Sequence, residues 1–184
     1  MIRIALKFCI SVFVLQYIFI ASALVKDDVY VKQFQIDEDL FYVICTQDGT
    51  ELHEPLPYFI SPTSKGNMKN DYQIFSYYNP DSDDSFSAVY VESTHYFSGF
   101  IFNEIHGFSE ELAAVSLKTN QKYGYIAPDG KVVIPFQWEW AEDFKNGIAL
   151  ITYETSDGYG NAWIDKTGEI VSIDLQWGYS IQNS

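Results

Sequence analysis

Phe108-Ser-Glu-Glu-Leu112-Ala113-Ala-Val115 and Phe144-Lys-Asn-Gly-Ile148-Ala149-Leu-Ile151 place apolar residues at the same positions, 36 residues apart. The match resumes where Tyr125-Ile126-Ala-Pro-Asp-Gly130-Lys-Val132-Val133 runs over Trp163-Ile164-Asp-Lys-Thr-Gly168-Glu-Ile170-Val171, now at an offset of 38. The two extra residues fall between Thr155 and Asn161, where a loop is expected. A sequence that repeats at such a period builds units that bury a face against their neighbours. Within each copy, Leu112 to Leu117 and Ile148 to Tyr153 read as strands, with Tyr123 to Ile126 and Ala162 to Ile164 as partners. Pro128-Asp129-Gly130 and Lys166-Thr167-Gly168 put glycine where a positive φ is cheapest, so the chain turns there and a third strand returns. Each copy is an antiparallel meander.

Working outward, the aromatic content of 17% lies in short runs between turn residues. Such runs suit strands, and no capped apolar stripe of helical period occurs after the first 23 residues. The fold class is therefore mostly β: antiparallel meander repeats stacked into one domain, preceded by an N-terminal signal helix. Leu40 to Cys45 is a strand leading into an Asp48-Gly49 turn, and Phe41 to Pro57 reads as an eroded copy of the same unit. Ser61 to Asn70 reads as a loop, and Tyr72 to Tyr78, Phe86 to Val91 and His95 to Phe102 as strands. The organisation is 1–23 signal peptide, 24–107 a β-rich region with degenerate repeats, 108–143 one repeat, and 144–184 a second repeat with a C-terminal cap.

The first residues fix an expected address. Arg3 and Lys7 precede an uncharged apolar run from Phe8 to Ala23 that ends in Ala21-Ser22-Ala23, the plan of a cleavable signal. The competing reading is an uncleaved anchor, because Phe8 to Val25 is at the lower edge of a membrane span. Cleavage predicts an exported protein, periplasmic or secreted. It would leave 9 basic against 25 acidic residues, a formal charge of −16 compared with −14 for the whole chain. That charge disfavours nucleic acid and anionic membrane surfaces and leaves room for a basic partner. Cys45 would be the only thiol left, which rules out an internal disulfide.

The repeated residues resemble the WG-repeat family. The resemblance rests on Phe144-Lys-Asn-Gly147-Ile148-Ala149, on Trp163-Ile164-Asp165-Lys166-Thr167-Gly168, and on Tyr123-Gly124-Tyr125-Ile126 followed by Gly130-Lys131-Val132-Val133-Ile134-Pro135. The dipeptide that names the family falls on Tyr123-Gly124 in one copy and Asn161-Ala162 in the other. The literal Trp177-Gly178 aligns with Trp138 instead. The resemblance implies β-rich repeats in exported bacterial proteins that act as interaction modules, with no shared catalytic residues to carry over.

Candidate sites follow from residue type and spacing. Phe136, Trp138 and Trp140 are spaced to share a strand face, which can stack on a sugar ring or a partner's side chains or can line the core. Glu139, Glu142 and Asp143 add an acidic border, and Trp177 belongs to the same aromatic class. The binding candidates are thus Trp138, Trp140, Glu139, Glu142, Asp143 and Trp177. Asn79, Asp81, Asp83 and Asp84 fail the EF-hand pattern at its sixth and twelfth positions and read as a solvated loop. His53, His95, His106 and Cys45 lack zinc-ligand spacing, and Cys45 alternates into an apolar strand as an inert thiol. No catalytic residues, metal or cofactor are expected. The predicted function is a non-catalytic exported binding module for a protein or cell-envelope ligand. The alternative is an acidic immunity or inhibitor protein that neutralises a basic secreted toxin, and a hydrolase ranks behind both.

Overall fold

The computed structural model describes residues 24–26, 29–63 and 71–174. The expected signal segment, Cys9 and Trp177 lie outside the described residues. Regular structure within them is entirely strand. Three strands form the first antiparallel sheet: β1 (Leu24–Lys26), β2 (Val29–Ile36) and β3 (Asp39–Thr46), in that order. The central sheet takes β4 (Ser61–Thr63), β5 (Tyr72–Asn79), β6 (Asp84–Val91), β7 (Tyr96–Phe97), β8 (Phe102–Ile105), β9 (Ala113–Leu117), β10 (Tyr123–Ile126) and β11 (Val132–Trp138). Its order is β11-β10-β9-β8-β6-β5-β4, with β7 paired to β6. The last sheet is β12 (Trp140–Ala141), β13 (Ile148–Thr155), β14 (Gly158–Asp165) and β15 (Ile170–Asp174), in chain order.

The repetition in sequence is repetition in hydrogen bonding. Ser109 and Leu112 exchange backbone bonds, and so do Lys145 and Ile148 at an offset of 36. His106 N–H donates to Ala114 O, and Glu142 N–H donates to Leu150 O. At an offset of 38, Gly130 N–H donates to Ala127 O and Gly168 N–H to Asp165 O, with φ of 81° and 89°. The same bond runs from Gly49 N–H to Thr46 O, again at φ 89°, and Thr46 N–H donates to Thr50 O as Ala127 does to Lys131 and Asp165 to Glu169. Three turns of one geometry therefore lie among the described residues.

Alternation along the strands explains the packing. Leu112, Ala114, Tyr123, Tyr125 and Ile134 project from one face of the first repeat onto Ala149, Ile151, Ala162 and Ile164 of the second. Ala113, Val115 and Ile126 project from its other face onto Ile74, Val89 and Val91. One step further back, Phe75 and Tyr90 meet Val29, Val31, Ile44 and Ile60. Each fully buried Phe, Ile or Val contributes about 1.5–3 kcal/mol, so these inter-layer clusters hold the domain. The turn glycines serve this stacking. A Cβ on Gly130 would lie 2.2 Å from the Tyr96 ring, and one on Gly168 would lie 3.1 Å from Ile134.

Several local expectations are corrected. Thr155 to Asn161 is not a loop: β13 and β14 pair without interruption to Thr155↔Gly158, so the two extra residues lengthen a hairpin. His95 to Phe102 is not one strand but breaks after Phe97 and resumes at Phe102 as β8. Residues 61–63, read as loop, pair with β5. β2, whose apolar pattern is too loose to read from sequence, pairs along its whole length with β3.

Candidate functional site

The junction between the two repeats is built by a strand that changes sheets. β11 leaves the central sheet at Trp138, which pairs with Tyr123, and β12 opens the last sheet with Trp140 opposite Thr152. The bend falls at Glu139, whose N–H donates to Thr152 O and whose carboxylate is held by Lys122 Nζ. This bend corrects the expectation that Phe136, Trp138 and Trp140 share one face. Phe136 packs on the cluster behind the first repeat, Trp138 packs on the cluster between the repeats, and Trp140 lies past the corner with 42% of its surface exposed.

Around Trp140 the fold gathers residues from four segments. Glu104, Ser116 and Tyr123 are successive cross-strand neighbours on β8, β9 and β10, so their side chains stand on one face. Tyr123 Oη donates to Glu104 Oε2 at 2.5 Å. The His106 ring lies between two carboxylates: its Nε2 is 3.6 Å from Glu104 Oε1 and its Nδ1 is 3.3 Å from Asp143 Oδ1. The rings of His106, Tyr123 and Trp140 touch pairwise, with centroids 5.0 Å apart for Tyr123–Trp140, 5.5 Å for His106–Trp140 and 6.0 Å for His106–Tyr123. The result is a ledge, with an exposed indole backed by two rings and edged by Glu104 and Asp143.

Polar atoms beside this ledge are under-used. Ser116 Oγ, Trp138 Nε1 and Asp143 Oδ1 are buried without a well-formed hydrogen bond to protein. Burial pushes the Tyr123 phenol well above its usual range, the bond to Glu104 adds to this, and Ser116 offsets a small part. The phenol is therefore a hydrogen-bond donor rather than a base. Tyr125, deeper in the same core, is raised for the same first reason and donates to Glu142 O at 2.7 Å.

Of the residues expected from sequence, the structure brings Trp140 and Asp143 together. Trp138 and Glu139 adjoin them but are engaged in packing and in the ion pair with Lys122. The Glu142 side chain points to solvent, and Trp177 is outside the described residues. Sequence reasoning missed Glu104, His106, Ser116 and Tyr123. Two signals were available: Glu104 and His106 stand two apart, the spacing of one strand face, and Tyr123 occupies the first place of the family's naming dipeptide.

The other candidates disperse. Asn79 Oδ1 accepts from Asp81 N–H, Tyr78 Oη donates to Asp83, and Asp84 pairs with Lys118 at 2.5 Å, which lowers its pKa. Burial raises the Cys45 thiol. His53 Nε2 accepts from Ile44 N–H at 3.1 Å while its Nδ1 faces Glu54 O at 2.7 Å, and burial lowers its pKa. Among the described residues no three His, Cys, Asp or Glu side chains are arranged to hold a metal ion. Glu104 and Asp143 approach opposite nitrogens of His106, so they do not converge on one point.

Antiparallel meanders that share turns, cores and a corner strand define a β-repeat protein. The particular repeat is shown by comparison: residues 123–154 match the family model for the WG containing repeat, so the chain carries a repeat of this family. The matched stretch runs from Tyr123 through the corner into β13, so Trp140 and Asp143 lie inside it. Searches of curated proteins and of solved structures returned no match.

Proposed function

We propose that the protein is an exported, non-catalytic binding module. In this reading it stacks meander units and presents the Trp140 ledge to a protein or cell-envelope partner. The observation that carries it is the exposed indole at the repeat junction, set on buried rings and beside polar atoms that the fold leaves without good partners. Rings positioned by a rigid β scaffold lose little entropy on binding, and a buried polar atom gains from a partner able to reach it. Export rests on the segment 1–23 and predicts a secreted or periplasmic chain beginning at Leu24, which N-terminal sequencing checks. A third unit in the array rests on the third turn, at Thr46 to Thr50.

The test is capture from envelope and culture supernatant with wild-type protein, Trp140→Ala and Tyr159→Ala. Tyr159 is 72% exposed on the β13–β14 hairpin and serves as a surface aromatic outside the ledge. A specific partner should fall at least tenfold with Trp140→Ala and persist with Tyr159→Ala. Equal recovery with all three proteins would count against the ledge. The second reading, inhibition of a basic secreted toxin, is favoured by Glu104 and Asp143 at the border of the ledge and by the acidic net charge. It predicts affinity that drops more than tenfold between 50 and 500 mM salt, as these roughly chosen concentrations shrink the Debye length severalfold.

A further inference from the structure

We infer that β15 is a docking edge for a second copy of this chain, the two β15 strands pairing antiparallel about a two-fold axis so that the last sheet runs on into its partner. β15 ends its sheet: among the described residues it pairs with β14 on one side and with no strand on the other. A strand so placed offers a row of unpaired N–H and C=O groups, which folded chains guard with proline, lysine, irregular register, a covering segment or sheer shortness. Every other edge among the described residues carries such a guard. β1 has three residues and ends in Lys26, β4 has three with Pro62 in the middle, and β7 and β12 have two each. β3 is covered by the segment that follows it, through backbone bonds from Leu52 N–H to Ile44 O and between Tyr42 and Leu56. β11 has Pro135 and two shifts of register against β10.

β15 is left open by comparison. At the turn offset of 38, Ile173 stands where β11 has Pro135, and β15 keeps one register shift against its neighbour where β11 has two. From Ile170 to Ile173 there is no charge, and Ile170, Val171 and Ile173 are each about half exposed. Charge and symmetry then select the occupant. Two chains of net charge −14 repel, so an uncharged strand is where they can meet. Pairing centred on Ser172 sets Ser172 against its copy, Val171 against Ile173 and Ile170 against Asp174, so no two acidic residues stand opposite. The new ladder continues the antiparallel one between β14 and β15, and a two-fold axis uses both edges at once and closes the assembly. The inference is independent of the Trp140 ledge, which lies at β12, the opposite edge of the same sheet.

The experiment measures the mass of the full chain by light scattering over a wide range of protein concentration, with residue-resolved hydrogen exchange at both ends of that range. The expected result is a reversible equilibrium of monomer and dimer, in which amides within Ile170–Asp174 exchange at least tenfold more slowly in the dimer. Val171→Lys/Ile173→Lys should raise the dissociation constant at least tenfold, whereas Val132→Lys/Val133→Lys, on the guarded edge, should leave it unchanged. All four side chains are well exposed, so both variants should keep the signal dispersion of the wild type, which shows that they are folded. Higher salt should tighten the dimer by screening the like net charges. A monomer at every concentration overturns the inference. So does a dimer that forms without slowing these amides, or one that the β11 variant weakens as much as the β15 variant. Slow exchange of the same amides in the monomer would mean that another part of the chain fills the edge, and overturns it too.

Discussion

The two repeats differ most where their sequences depart from the family's naming dipeptide. In the first, the dipeptide is Tyr123-Gly124, and a Cβ on Gly124 would lie 2.6 Å from Ile134 O and 3.0 Å from Phe136 N. The strand crosses so closely because two residues of β10, Tyr123 and Tyr125, face Trp138 and Ile134, which are four apart on β11. That bulge sharpens the twist and sends the chain round the Glu139 corner into the next sheet. In the second repeat the dipeptide is Asn161-Ala162, and β15 pairs there in register, Asn161↔Asp174 and Ala162↔Ile173. The register shift of this pair falls past the dipeptide, between Trp163 and Ile164, so at Ala162 a methyl group fits and is fully buried. The comparison teaches that the glycine is a requirement of the departing strand: it is needed where that strand must bulge over it to start another unit.

The sharpest way to break this comparison is to exchange the two residues. Gly124→Ala should cost about 2–3 kcal/mol, because the methyl meets backbone that cannot swing aside. Ala162→Gly should cost about 1–2 kcal/mol, from the added chain freedom of glycine and one lost buried methyl. Urea unfolding of both variants decides it, and a Gly124→Ala cost no larger than that of Ala162→Gly would sink the account. The turns provide the next contrast. Gly130→Val and Gly168→Val both place a branched residue at positive φ, worth about 1–2 kcal/mol. Only the first also drives into the Tyr96 ring at 2.2 Å, so it should unfold at the lower urea concentration.

Much of this was legible in the sequence. The paired offsets of 36 and 38 identify the two meanders, because turn glycines and alternating apolar residues report strand reversal directly. Whether the two extra residues make a loop or a longer hairpin was not legible. Glu154 and Tyr159 face each other across the ladder, but neither residue type demands pairing. β2 was hidden for a related reason: its outer end, Gln35 and Ile36, lies exposed and need not alternate. The site was half visible. Trp140 and Asp143 announce themselves by type, whereas Glu104 and His106 reach them only through long-range pairing of β8 with β9, which local pattern does not encode. The bulge between Ile134 and Trp138 and the bend at Glu139 together defeat any period-two reading of that strand.

A smaller effect sharpens the comparison at the ladder. Ser116 and Thr152 hold equivalent places, but Thr152 Oγ1 donates to Asn161 Oδ1 at 2.8 Å whereas Ser116 Oγ is buried without a good partner. Thr152→Val should therefore destabilise by about 1 kcal/mol, and Ser116→Ala should be neutral or stabilising by up to about 1 kcal/mol. Destabilisation of both variants to the same extent in urea would mean that the serine hydroxyl is satisfied after all.

The smallest effect extends the comparison to the earliest turn. Counted from the turn glycines Gly49, Gly130 and Gly168, the fourth residue on is His53, Ile134 or Ser172, so a titrating group sits where the first repeat buries an aliphatic one. His53 takes Ile44 N–H on Nε2, so a proton there would face a donor. Burial lowers its pKa below the ordinary 6.5. The unfolded chain then binds the proton more readily, and stability from this site is fully present above pH 6.5 and lost as pH falls toward the folded value. The lowered carboxylates Asp48, Asp84, Glu110 and Asp165 act in a separate, more acid window, below their ordinary values of 3.8 to 4.5. His53→Gln keeps an acceptor for Ile44 and a donor for Glu54 without a titrating proton. The urea midpoint of wild type should decline as pH falls below about 6.5 while that of the variant stays level. Parallel declines would remove His53 from the comparison.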